Sequence, residues 1–232
     1  MQDIMGASSA SVPDNWISST SYVDSDHPAV KEFLTRAVVG AEQASETEKA
    51  IRLFNSVRDD IRYDPYQISF VKEDYHASYV ADLPAAYCVP KAILLTACLR
   101  AIGIPAGVGF ADVKNHLNSP KLSAIMETDL FAYHGYVALK LNRQTFKVTP
   151  TFNKDLCERF GVKAIDFDGT SDALFHEYDS GSRKHMEYVK DRGIFENPPM
   201  DDILVDLGEV YPKLKDIKSK AANQALDADF AA

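Results

Sequence analysis

Long hydrophobic runs are missing from this chain. The longest unbroken apolar stretch is Ala85–Val89, five residues, against the ~20 that a membrane-spanning helix needs. No membrane is expected as a partner. A cationic face is missing too. Lys plus Arg number 25 against 34 Asp plus Glu, a net charge of −9. Residues 1–116 carry 10 basic and 15 acidic side chains, and residues 117–232 carry 15 and 19. Neither half presents the clustered cations that nucleic-acid binding requires. The one dense lysine group, Lys213, Lys215, Lys218 and Lys220, is interleaved with Asp216 and reads as a solvated helix face. Cysteine is scarce: Cys88, Cys98 and Cys157 make an odd count with no disulfide framework. Residues 1–11 have neither the basic nor the apolar region of a secretory signal. The expected setting is a reducing cytoplasm, where each thiol is either core filler or nucleophile.

What is present is an ordinary globular composition, 46% hydrophobic and 25% charged over 232 residues. That length suits one large domain with an appendage. Residues 1–20 read as a flexible arm, 21–155 as a core, and 156–232 as an extension wrapping the core. Val30, Phe33, Leu34, Ala37 and Val38 fall at helical spacing and end near Gly40. Ser45 followed by Glu48 is a capping box. The helix it opens carries Ile51, Phe54, Val57 and Ile61 inward and is expected to end at Tyr63-Asp64-Pro65. Residues 66–87 read as irregular and aromatic. A third, largely apolar helix is expected from about Cys88 to Gly103.

The period then changes. Residues 106–111 and 133–141 alternate as strands, and Asn142-Arg143 is a hairpin turn into a strand over 145–149. Between them, 114–130 reads as a polar loop with a short helical possibility. Helices are expected at Lys154–Phe160, Met200–Val210 and Pro212–Leu226. Helices first and an antiparallel sheet after them point to an α+β fold.

Chemistry concentrates at Cys88. A thiol at the start of a helix lies beside unpaired N–H groups and the positive end of the helix dipole. That environment favours a thiolate and can receive an oxyanion. Cys98, mid-helix between Leu95 and Leu99, reads as packing, and so does Cys157. A thiol nucleophile needs a base. Of the six histidines, His134 begins a strand and so has a fixed direction. Thr149, fifteen residues later on the adjacent strand, is the nearest residue on its face. The polar group Asp112, Asn115 and His116 ends the preceding strand, where it reads either as a turn or as the rim of a cleft. The aromatics Tyr63, Tyr66, Phe70, Tyr75, Tyr79 and Tyr87 read as core and lid packing or as a substrate groove. No compact metal-ligand spacing is present, so neither metal nor cofactor is expected.

These residues carry a resemblance. Tyr87-Cys88-Val89-Pro90-Lys91-Ala92, with Leu99-Arg100-Ala101-Ile102-Gly103-Ile104-Pro105-Ala106, resembles the nucleophile segment of the transglutaminase-like superfamily. His134-Gly135-Tyr136-Val137 resembles its histidine strand, and Phe146-Lys147-Val148-Thr149-Pro150-Thr151 its D-P-T segment. The resemblance implies a papain-like core with Cys88 as nucleophile and His134 as general base. It also implies acyl transfer from an amide through a thioester, to water or an amine. The expected substrate is a peptide, a protein or a small amide. The sequence departs from the pattern at Ala86, where the family has Gly, and at Thr149, where it has Asp. Thr149 or Asn153 then stands as the neutral partner of the histidine, as Asn does in papain-type enzymes. Asp112 is a further candidate. The rival reading is a catalytically weak or silent binding module on the same fold.

Overall fold

The computed structural model describes residues 11–115, 119–175 and 186–220. Four helices come first: α1 (Pro28–Ala37), α2 (Glu46–Asp60), α3 (Ala77–Val80) and α4 (Cys88–Ala101). A parallel pair of two-residue strands, β1 (Arg62–Tyr63) and β2 (Ala85–Ala86), joins them. Ser45 caps α2 by accepting from the Glu48 amide, as its spacing predicts. The helix stops at Asp60, three residues before the expected end. Arg62 and Tyr63 are drawn into extended pairing with Ala85 and Ala86, and the segment 66–87 holds α3 and two short 3-10 turns.

Helix α4 is the axis of the molecule. Every residue from Cys88 to Arg100 is buried, so the helix is covered on all sides rather than along one stripe. Its polar members are all satisfied. Thr96 donates to the Ala92 carbonyl. Arg100 donates to the carbonyls of Ala106, Ser18 and Glu196. That guanidinium ties the N-terminal segment and the end of the last strand to the core. Residues 11–20 are mostly exposed but anchored here: Val12 is buried, and the Trp16 carbonyl accepts the Ala106 amide.

Against α4 lies an antiparallel sheet in the order β5-β4-β3-β6. Its strands are β3 (Ala106–Asn115), β4 (Leu130–Leu141), β5 (Gln144–Val148) and β6 (Met186–Phe195). The β4–β5 turn places Asn142 and Arg143 at φ of 50° and 68°, the left-handed pair of a tight hairpin turn. Strands β3 and β4 run further than alternation alone suggests. The register shift between Ala111 and Val113 breaks the pattern while pairing continues to Lys114↔Leu130. The expected loop holds α5 (Pro120–Met126), capped by Ser119. Strand β6 is an edge strand with two register shifts and four charged side chains. Both features suit an edge, and both hide its period. Helices α6 (Lys154–Phe160), α7 (Met200–Val210) and α8 (Pro212–Lys220) complete the fold, which is α+β. The expected residues 221–226 of α8 lie outside the described chain. Among the described residues no helix is long and apolar enough to cross a membrane.

Candidate active site

Cys88 is the first residue of α4. Strand β4 passes directly over it because residue 135 is glycine. A Cβ there would stand 2.9 Å from Val89 Cα and 3.1 Å from the Cys88 carbonyl oxygen. The backbone amides of Gly135, Val89 and Cys88 itself are directed at the thiol. They act in the direction expected of a helix start, lowering the thiol pKa. Burial outweighs them: Cys88 is 8% exposed, and its thiol is pushed up to about 11. The expected thiolate is therefore not the state of the closed site. The other two thiols are raised by burial as well, Cys98 most of all.

His134 precedes Gly135 and is 4% exposed. Its ring packs against Phe175 at 4.7 Å between centroids, and Phe175 packs on Phe152 at 5.0 Å. Among the described residues its Nε2 has no hydrogen-bond partner. Burial drives its pKa down to about 3, so the imidazole is neutral. Cys88 and His134 line the same cavity, of about 40 Å³, with Tyr63, Leu122, Leu207 and Tyr211. That is room for a water or two, not for a substrate chain.

The other expected site residues are spread around this cavity. Val137 pairs with Val148, where the β4–β5 ladder ends, one residue before Thr149. Thr149 is buried, and no hydrogen bond joins its hydroxyl to His134; the hydroxyl lies at the Tyr188 phenol instead. Its amide continues the sheet by donating to the Ala173 carbonyl. The Asn153 amide oxygen accepts the Tyr63 N–H, which ties β1 to the start of α6. Asp112 sits opposite the bulge in β4, where the single residue faces Ala132 and Tyr133. It accepts from the Tyr133 amide at 3.1 Å and from Arg192 Nε at 2.6 Å. Arg192 lies 3.9 Å over the Tyr133 ring, and the Tyr133 hydroxyl donates to Asp206 on α7. This cluster holds Tyr133 at φ 55°, immediately before His134. Asn115 pairs in β3 opposite Met186. His116 lies outside the described residues.

Of the expected groove aromatics, Phe70, Tyr75, Tyr79 and Tyr87 line an open cavity of about 560 Å³. Ile68 and Tyr87 belong to both cavities and form the wall between them. The Tyr87 hydroxyl is fixed at 2.7 Å from that of Tyr75, which donates to the Ser69 carbonyl. Tyr63 lines the small cavity instead.

Sequence reasoning missed Lys91. It is completely buried one helical turn after Cys88, and its Nζ donates to the carbonyls of Arg58, Ile61 and Thr151. Burial pushes its pKa down to about 7, and its charge bears on the Cys88 thiol. A lone lysine inside an otherwise apolar helix was the available signal. Tyr211 was also missed, and nothing in the local sequence marks it. Its hydroxyl accepts from the Ala132 amide at 2.6 Å and donates to the Leu130 carbonyl at 2.9 Å. Among the described residues, no three His, Cys, Asp or Glu side chains converge as a metal site would require.

The sequence model of the transglutaminase-like superfamily matches residues 32–148, half of the chain. No curated protein matches. Among solved structures, a candidate cysteine protease from Cytophaga hutchinsonii is similar at a TM-score of 0.44 and 12% identity. That similarity covers 84% of this chain, which spans 57% of the other's length.

Proposed function

The chain belongs to the transglutaminase-like superfamily, and we propose that it is a cysteine-dependent acyl-transfer enzyme hydrolysing amide or peptide bonds through a thioester. One observation carries this reading. The thiol at the start of α4 and an imidazole whose buried Nε2 has no partner among the described residues line the same cavity. Burying a polar nitrogen without a partner is costly, and a reacting proton is what such a nitrogen can take.

In the reaction His134 Nε2 takes the thiol proton as Cys88 Sγ bonds to the acyl carbon. The negative oxygen of the tetrahedral intermediate turns to the N–H groups of Cys88 and Val89 at the start of α4 as the sulfur gives them up. The C–N bond then breaks, and the imidazolium returns its proton to the leaving amine. Water, deprotonated by the same imidazole, opens the thioester. A carboxylic acid leaves and the thiol is restored. Phe175 fixes the plane of the imidazole, and Asp112 fixes the strand that bears it, by way of Tyr133. Thr149 and Asn153 give the histidine no carboxylate partner.

The closed cavity is a resting state. With the thiol at about 11 and the imidazole at about 3, proton transfer between them is strongly uphill. Opening the cavity to substrate or water relieves the burial that shifts both groups. The test is iodoacetamide alkylation of the full chain from pH 5 to 9, with the modified cysteines located by mass. Cys88 is expected to react at least tenfold faster than Cys98, and His134→Gln to move the Cys88 profile to higher pH. Equal rates at the two cysteines would sink the nucleophile reading.

A second reading has its own support. Thr149 stands in place of the acid, its hydroxyl makes no bond to His134, and the cavity of about 40 Å³ is too small for a substrate chain. These suit a silent binding module. A thiol that alkylates slowly and without dependence on His134 favours that reading.

A further inference from the structure

Strand β4 is twelve residues long, but β5 pairs with it only from Val137 to Leu141. Among the described residues no strand covers the outer edge of β4 from Leu130 to Tyr136. Open edges are binding sites for extended chains. Here one side chain occupies the edge. The Tyr211 hydroxyl takes the Ala132 N–H and gives its own proton to the Leu130 carbonyl. A carbonyl and an N–H two residues apart are the two groups that one residue of a neighbouring parallel strand engages. The phenol therefore imitates a single peptide unit.

The same edge leads to the thiol. The Gly135 N–H, further along β4, is directed at Cys88. Between the two points lies the small cavity, whose apolar lining includes Leu122, Met126, Phe131, Leu207 and Leu214.

We propose that the acyl donor is an extended peptide that binds as an added parallel strand on the Leu130–Ala132 edge of β4, displacing the Tyr211 hydroxyl. This rests on Cys88 being the nucleophile and names what that nucleophile receives. A parallel strand runs from Leu130 towards Gly135, so the peptide's carboxyl-ward residues approach the sulfur. Because β4 is bulged at Ala132-Tyr133, residues 131 to 135 are spanned on β3 by only three steps, Val113 to Phe110, and an added extended strand covers that stretch, roughly 10 Å, in about three residues. The recognised residue thus lies about three positions before the carbonyl that is attacked. Exchange conserves hydrogen bonds: two are lost with the phenol and two form with the peptide. The apolar lining favours peptides with aliphatic side chains. Of the ion pairs that hold α7 and α8 down, Lys72–Asp201 and Lys213–Glu127 are exposed on both sides and resist this movement weakly, while Asp206 stays tied to Arg192 and Tyr133.

The experiment uses the full chain and a chloromethyl ketone of acetyl-Leu-Ala-Leu-Ala-Leu-Ala, with analogues N-methylated at one backbone amide at a time. The sulfur displaces chloride, and the site of labelling is read by mass. Methylating the amide that donates to Leu130 is expected to slow Cys88 labelling at least tenfold, with the remaining analogues within about threefold. Tyr211→Phe, which frees both edge groups, is expected to speed peptide labelling severalfold more than iodoacetamide labelling. Uniform rates across the methylated series, with iodoacetamide still selective for Cys88, overturn the strand-pairing proposal and leave the nucleophile standing. If neither reagent prefers Cys88 over Cys98, the nucleophile reading fails and the proposal falls with it.

Discussion

Gly135 and Cys88 meet backbone to backbone: a side-chain carbon on Gly135 would lie 3.1 Å from the Cys88 carbonyl oxygen and 2.9 Å from the Cα of Val89. Neither neighbour is a flexible side-chain end, so neither can swing aside. This contact seats the thiol under the strand that carries His134.

Gly135→Ala is therefore expected to cost about 1–3 kcal/mol of stability through overpacking and to move Cys88 relative to His134. Urea denaturation reads the first effect and iodoacetamide labelling the second. A variant as stable as the parent would mean that strand and helix are not in close contact.

Asp112 holds the Tyr133 amide and Arg192 together. Asp112→Ala leaves a half-buried N–H and a half-buried guanidinium without that acceptor, at a cost of about 1–3 kcal/mol. Asp112→Asn, which keeps an acceptor oxygen, recovers part of the loss. Denaturation midpoints of the two variants check this. Equal losses in both would show that the charge, not the acceptor, matters.

The buried imidazole makes stability depend on pH. The folded pKa of His134 is pushed down to about 3 from an unfolded value of 6.5. Between those values the unfolded chain binds the proton and the folded chain does not. This contribution is flat above pH 6.5 and is lost as pH falls towards 3, with a slope of up to about 1.4 kcal/mol per pH unit. Subtracting the stability curve of His134→Gln from that of the parent isolates the slope. A flat difference between pH 6 and 4 would show that the ring is protonated or exposed when folded.

Lys91 gives the corresponding effect at higher pH. Its folded pKa, about 7, lies below its ordinary value of 10.5. Above pH 7 the unfolded chain again holds the extra proton, so the parent should gain stability relative to Lys91→Met as pH rises from 7 to 9. Below pH 7 the two curves run parallel. Chemical denaturation at half-unit steps is the measurement, and a difference that shrinks with rising pH would contradict it.

Much of the site was legible in local sequence because local rules write it. A cysteine followed by Pro90 and an apolar run starts a buried helix. Alternation from Tyr133 to Leu141 makes a strand whose first reliable member is followed by His134. Ser45, Ser119 and Gly161 each end or start a helix by their own chemistry. Strand β6 was not legible, since its pairing with β3 depends on bulges and on a partner eighty residues away.

The sequence by itself determined the elements, their order, and which thiol heads a helix, because capping, periodicity and turn chemistry act over a few residues. Only the tertiary structure decided the state of the site. Burial, a property of what packs from afar, turned the expected thiolate into a neutral thiol and the base into an unprotonated imidazole. The same long-range packing brought Tyr211 from the C-terminal helices to Leu130 and Ala132, and folded the charge of Lys91 into the core beneath the thiol.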